Sequence, residues 1–311
     1  MSLVVSCKSS RYKYSSDNLM AKLYTANENQ FAFGYANDIF IPSKTEQRAV
    51  ENISAEAYFV ASTHTHNQDT AFLRYKNPYN QMPIASLTKM MTALVIFENC
   101  DNLDEVYEVP AEAINLEKNA SIANLQAGDK VTIKDLLYAL LLPSGNDAAL
   151  TLALNCAGGS VDNFSIMMNN EASRLGAMRS HFVNPHGLSS NYHYSCCYDL
   201  YLIMRELLKY PLFSEITKSR TYKATITDLS GNTKELTWEN TNYFVMGEMV
   251  ISSNVSLVAG KTGYTQNAGE CLAIISKSVT NDEQYISIVL NATSKPNVYR
   301  NTNKLLGAIG K

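Results

Sequence analysis

Residues 86–99 read SLTKMMTALVIFEN. Apolar residues fall on more than one side of this stretch, which predicts a helix buried at a domain centre, with Ser86 at its mouth. Residues three apart share a helix face, so the Ser86 hydroxyl and the Lys89 amine come within reach of each other. A serine hydroxyl is a poor nucleophile without an adjacent base. Lys89 is such a base only when neutral, a state that burial and neighbouring cations favour. The helix start adds free N–H groups beside a reacting carbonyl. The same four-residue spacing also arises by chance, and a serine at a helix start is commonly just a cap.

Two further short motifs lie downstream. Ser144-Gly145-Asn146 follows Pro143 between two apolar helices, Ile133 to Leu142 and Ala148 to Ala157. Pro and Gly stop one helix and permit a tight turn. The Ser144 hydroxyl is suited to relaying a proton, and the Asn146 amide to holding Lys89 and a substrate amide. Lys261-Thr262-Gly263 sits inside an apolar strand. A lysine there is costly unless its ammonium reaches a cleft, Thr262 offers a hydroxyl to a carboxylate, and Gly263 lets a substrate backbone approach. Taken singly, the first is a turn with a cap and the second an edge-strand lysine with a bulge glycine.

In this order, on helix, loop and strand, the three elements are counterparts of S-x-x-K, S-D-N and K-T-G, the signature set of class A β-lactamases and penicillin-binding proteins. The stretches PIASLTKMMTAL, LLLPSGNDAAL, SHFVNPHGLSSNYHYS and GKTGYTQNAGECLAI resemble those of the low-molecular-mass penicillin-binding proteins that are D-alanyl-D-alanine carboxypeptidases. The resemblance covers about residues 53–308. It implies an α+β fold of the β-lactamase/transpeptidase type, an antiparallel sheet flanked by helices with a helical subdomain. It also implies a two-step mechanism without a cofactor or metal. Ser86 attacks the penultimate D-alanine carbonyl, Lys89 accepts its proton, and the terminal D-alanine leaves with a proton delivered through Ser144. The oxyanion sits between the backbone N–H groups of Ser86 and Tyr264, Lys261 and Thr262 hold the substrate carboxylate, and β-lactams acylate Ser86.

Departures from the pattern narrow the expectation. Gly145 replaces the aspartate usual in class A β-lactamases, and no E-x-x-L-N stretch lies between the second and third motifs, so a carboxypeptidase is favoured over a β-lactamase. A peptidoglycan endopeptidase and a non-catalytic penicillin-binding sensor remain as rivals. Some relatives carry an arginine upstream of the third motif; here Asn240-Thr241-Asn242 has threonine, with Arg300 the substitute candidate. NTNKLLGAIGK resembles the close of the catalytic domain, without the β-rich second domain and amphipathic helix of many relatives, so no C-terminal membrane attachment is expected.

The rest of the chain fits a folded, extracytoplasmic, monomeric enzyme. Its 311 residues, 46% hydrophobic, suffice for a large core. A net charge of -3 without a basic stripe argues against nucleic acid. No apolar run is long enough to span a bilayer, and the N-terminus lacks a signal-peptide core, although Val4-Val5-Ser6-Cys7 resembles the end of a lipoprotein signal. Residues 1–50, polar and aperiodic, read as an N-terminal extension to a catalytic domain over 51–311. Glu56 to Ser62 and Ala71 to Lys76 predict a hairpin whose loop carries His64 and His66, an incomplete ligand set. Helices are expected over Val161 to Leu175, Tyr198 to Leu208 and Val298 to Ile309, and strands over Leu257 to Ser276 and Tyr285 to Asn291. His186 reads as a hydrogen-bonded turn residue, and the six cysteines, the adjacent Cys196 and Cys197 included, mostly as small buried hydrophobes.

Overall fold

A computed structural model describes residues 50–63, 73–118 and 120–309. The expected N-terminal extension, the lipoprotein-like Cys7 and the loop histidines His64 and His66 lie outside these residues.

The two chain ends build one antiparallel sheet. β1 (Ala55–Ser62) pairs with β2 (Leu73–Lys76) as the hairpin predicted, and on its other side with β9 (Gln284–Ala292). β8 (Gly269–Ser278) and β7 (Val255–Thr265) complete the order β2-β1-β9-β8-β7, which leaves β7 at an edge. Both faces of this sheet are covered. Ala57, Phe59 and Ala61 of β1 enter the main core, whereas Ala55, Tyr58 and Val60 enter a second core closed by the last helix. Burial on both faces explains why β1 reads as a nearly continuous apolar run rather than an alternating one.

Between the sheet halves lies the helical part. A 3-10 turn, Ala85–Leu87, runs into α1 (Thr88–Asn99), whose residues 88–96 are all buried. Ser86 therefore precedes the helix and does not cap it. Next come α2 (Ile133–Leu141), α3 (Asn146–Cys156), α4 (Val161–Leu175), α5 (Cys197–Leu207) and α6 (Pro211–Lys218). Ser160 caps α4 by accepting from Asn163 N at 3.2 Å, and Gly176 ends it in left-handed geometry, as its sequence predicts. The chain closes with a one-turn α7 (Tyr243–Met246) before β7 and α8 (Lys295–Leu306) after β9, starting three residues earlier than Val298.

Two corrections concern strands. The single strand expected over Leu257 to Ser276 is a hairpin, β7 and β8, because the chain turns at residues 266–268 and Gly269 takes a φ of 64°. A second sheet has no counterpart in the sequence reading: β3 (Val106–Glu108), β4 (Lys130–Thr132), β5 (Thr221–Thr227) and β6 (Thr233–Glu239), in that order.

Phe59 is fully buried and meets the rings of Tyr198 and Tyr201 of α5 edge-on, at 5.9 and 5.2 Å between centroids. Tyr201 also donates to Ser62 O at 2.9 Å, tying α5 to β1. Truncation at this joint leaves a cavity between sheet and helices. Phe59→Ala is expected to lower unfolding free energy by about 3–5 kcal/mol in a urea titration.

Candidate active site

Lys89 lies in the first turn of α1 and is fully buried. Its Nζ is 3.0 Å from Ser86 Oγ, 2.7 Å from Asn146 Oδ1 and 2.9 Å from His186 O. Burial, and next the Lys261 charge, push its amine well below the usual lysine range, with Asp147 pulling the other way. Two of the three partners, an amide oxygen and a carbonyl, only accept, whereas a hydroxyl can donate. A neutral amine has two N–H groups for the acceptors and one lone pair for the hydroxyl. The surroundings of Lys89 thus match the neutral form, with the Ser86 proton directed at the base.

Lys261, also buried, reaches from β7 to Ser144 Oγ and to Thr262 O, each at 3.0 Å. Burial brings its amine down to about 7. The structure thus assembles Ser86, Lys89, Ser144, Asn146 and Lys261 in one connected cluster. Thr262 lies beside them and pairs its hydroxyl with that of Thr241 at 2.6 Å. Tyr264 follows on the same strand with its ring exposed. Arg300 instead lines a surface pocket of about 410 Å3 with Asn52, Ser54 and Lys304 on α8, and hydrogen-bonds Asn297 at 3.4 Å, apart from this cluster.

Gly263 sits where a side chain would meet the protein's own backbone. A Cβ there would lie 3.0 Å from Ile84 O and 3.1 Å from the backbone nitrogens of Ser86 and Leu87. The close approach it permits is that of the protein's own 3-10 turn at Ser86. Gly145 is likewise fixed by space: a Cβ would meet Asp147 Oδ1 at 2.7 Å and both Ala123 Cβ and Ala139 O at 2.9 Å. An aspartate at this position has no room here.

This chain matches the D-alanyl-D-alanine carboxypeptidase family over residues 43–294. It is 29% identical over 275 residues to D-alanyl-D-alanine carboxypeptidase DacF of Bacillus subtilis, covering 86% of this chain and 66% of that protein. To the D-alanyl-D-alanine endopeptidase of Pseudomonas aeruginosa it is 31% identical, with 77% and 73% covered. The solved Streptomyces K15 DD-transpeptidase superposes with a TM-score of 0.73 at 30% identity, over 82% of this chain and 96% of that one. The chain belongs to the D-alanyl-D-alanine carboxypeptidase family. It has the family's β-lactamase-like α+β fold, as its motifs imply, and is a penicillin-binding cell-wall hydrolase of the serine type.

Sequence reasoning missed the groups that hold this family's machinery in place here. Ala85, just before Ser86, has a φ of 48°, which an L-residue adopts only under restraint. Val183 N–H donates to His193 Nδ1 at 3.2 Å, which leaves the ring proton on Nε2. Nε2–H then donates to Thr88 Oγ1 at 2.7 Å, and the Thr88 hydroxyl donates to Ala85 O at 2.8 Å. Burial holds His193 neutral, lowering it to about 4. Gly187 presses on the same carbonyl, with a φ of 88° and no space for a Cβ, which would stand 2.0 Å from Ala85 O.

His186 acts as a turn residue, as expected, but with a function: its carbonyl binds Lys89. Its ring accepts from Leu188 N at 3.1 Å and is lowered to about 3, chiefly by burial and then by Lys89. Asp147 anchors the second motif by accepting from the backbone of Ala123, Leu125 and Ala148 at 2.8 to 3.1 Å. The only sequence signs of these roles were the glycine after His186 and the acid after Asn146. Cys196, Cys197 and Cys271 are free and buried, but Cys100 and Cys156 are only half-buried. Among the described residues, no group of three or more His, Cys, Asp or Glu side chains is placed to hold a metal ion.

Two outcomes follow. Thr88→Val strands the His193 Nε2–H and leaves Ala85 O only its backbone donor, Thr88 N–H, so stability should fall by about 1–3 kcal/mol and β-lactam acylation should slow about tenfold, with Thr88→Ser restoring both. Lys261 binds fewer protons folded than unfolded above pH 7, so its burial penalty is full below that pH and relieved toward 10.5. Urea titrations from pH 7 to 10 should therefore show wild type gaining stability relative to Lys261→Met as pH rises.

Proposed function

We propose that this chain works outside the cytoplasm as a monomer, removing the terminal D-alanine from peptidoglycan stem pentapeptides through a Ser86 acyl-enzyme. The observation that carries this reading is the buried Lys89 amine, 3.0 Å from Ser86 Oγ and otherwise faced by two acceptors. Neutral Lys89 takes the Ser86 proton as the oxygen attacks the penultimate D-alanine carbonyl. The developing oxyanion lies between the backbone N–H groups of Ser86 and Tyr264, a pairing supported by the tight packing of Gly263 on the Ser86 turn.

Ser144 stands between this event and the leaving group. Its hydroxyl passes a proton to the departing D-alanine amine while Lys261, 3.0 Å away, donates to its oxygen. Asn146 holds Lys89 through Oδ1, which leaves its amide nitrogen for a substrate carbonyl. The substrate carboxylate is received by the Lys261 charge and the Thr262 hydroxyl, with Thr241 supporting the latter. Among the described residues β7 is an edge strand, and an edge strand can run beside an extended peptide. Water then attacks the ester with Lys89 again as base, releasing the shortened peptide.

The endopeptidase reading has support of its own, since relatives from Pseudomonas aeruginosa and Escherichia coli carry that name. The distinction lies in what the cleft accepts beyond the scissile bond, a single D-alanine or a cross-linked D-amino acid. Purified protein should release D-alanine from a diacetyl-L-Lys-D-Ala-D-Ala tripeptide, and Ser86→Ala should reduce the rate by at least about 10^4-fold. Benzylpenicillin should add once, at Ser86, in the intact mass. Cleavage of cross-linked muropeptide dimers without D-alanine release from the tripeptide would establish the endopeptidase instead. An adduct decaying as penicillin is consumed would mark a β-lactamase.

A further inference from the structure

α1 and α3 pack against each other and point the same way. At their N-terminal ends they carry Lys89 and Asn146, joined at 2.7 Å. Cys100 is the residue that ends α1, its N–H still bonded to Ile96 O, and Cys156 is the last residue of α3. Eleven and ten residues separate each cysteine from its catalytic partner, so the thiols sit about 16 Å down the same pair of helices.

At that lower end the two thiols lie beside each other, near enough that each shifts the other's ionisation. β3 braces both helix ends: Cys100 Sγ lies 3.6 Å from Tyr107 Oη, and Asn155 of α3, beside Cys156, donates to Glu108 O at 3.0 Å. The pair is half-buried and within reach of a small reagent, unlike Cys196, Cys197 and Cys271, which are sealed in the cores. Two thiols and a phenol do not make a zinc site, and no third metal-ligating side chain joins them among the described residues.

We propose that Cys100 and Cys156 form a disulfide that staples the lower ends of the two helices whose upper ends hold Lys89 against Asn146. The bond closes by exchange with a small-molecule disulfide such as oxidised glutathione. Cys100, as thiolate, attacks one sulfur of that disulfide and releases one thiol, leaving a mixed disulfide. Cys156 then gives up its proton and attacks Cys100 Sγ, releasing the second thiol. The two protons lost by the cysteines appear on the two thiols released, and the external disulfide is the oxidant reduced. The order of attack follows from the pair itself: the neighbouring Cys156 brings the Cys100 thiol down to about 7, while Cys100 and burial push Cys156 up.

This inference rests on the extracytoplasmic reading only for its oxidising surroundings, and thiol mapping is independent of whether Ser86 is acylated. The full chain is equilibrated with oxidised or with reduced glutathione, then digested without reduction and mapped by mass spectrometry. The expected result is one peptide pair linked through Cys100 and Cys156, with a melting temperature raised by about 5–10 °C over the reduced protein. Cys156→Ser and Cys100→Ala should each abolish that shift. Two free thiols after oxidation, separate glutathione adducts on each cysteine, or a linked pair with no change in melting temperature would overturn the proposal.

Discussion

A lysine amine buried without a carboxylate in contact is the constraint around which this molecule is arranged. An ammonium at the position of Lys89 would lose its hydration shell to a site that returns two acceptors and a hydroxyl, so the neutral amine is the better-matched form. The second buried lysine, Lys261, adds a repelling charge whenever it is protonated. Each Lys89 partner comes from a different piece of chain: the 3-10 turn before α1, the start of α3, and the segment before Gly187. The fold brings these pieces together, and the chemistry follows from their meeting.

Close backbone contact does much of the positioning. Gly263 allows β7 to lie against the Ser86 turn, Gly145 lets the second motif sit on Asp147, and Gly187 meets the carbonyl of Ala85. The strained Ala85 is then held by the Thr88 and His193 hydrogen bonds, so that Ser86 presents its oxygen to Lys89 without having to search. A buried neutral histidine, two hydrogen bonds from Ala85 O, thereby becomes part of the support of the Ser86 turn.

The sequence made some of this legible and hid the rest for physical reasons. Helices α1 to α5 were readable because their apolar residues recur at helical spacing, and Ser160 and Gly176 mark the ends of α4. The side chains that meet in the Lys89 and Lys261 cluster were readable because three short motifs occur together in order. The β5–β6 hairpin was not, since TYKATIT and TKELTWE bury only a few side chains and their exposed Lys, Thr and Glu residues mask the alternation. The split between β7 and β8 was passed over because the turn is only three residues long, although Gln266-Asn267 and Gly269 mark it between the apolar ends of the stretch. The His186 carbonyl, being backbone, leaves no side-chain signature at all. Gly263 reports in the sequence only that something comes close, and the structure brings the Ser86 turn there.

The most direct test of the central claim is the titration of Lys89 itself. Protein labelled with 13C at lysine Cε, with Lys89→Met for assignment, would be followed by NMR across pH in the absence of ligand. The account predicts that the Lys89 signal titrates well below the ordinary lysine value of 10.5 and belongs to the neutral amine at the pH where Ser86 is acylated. A Lys89 signal that stays that of an ammonium up to the ordinary lysine range would contradict it, and Ser86 would then need another base.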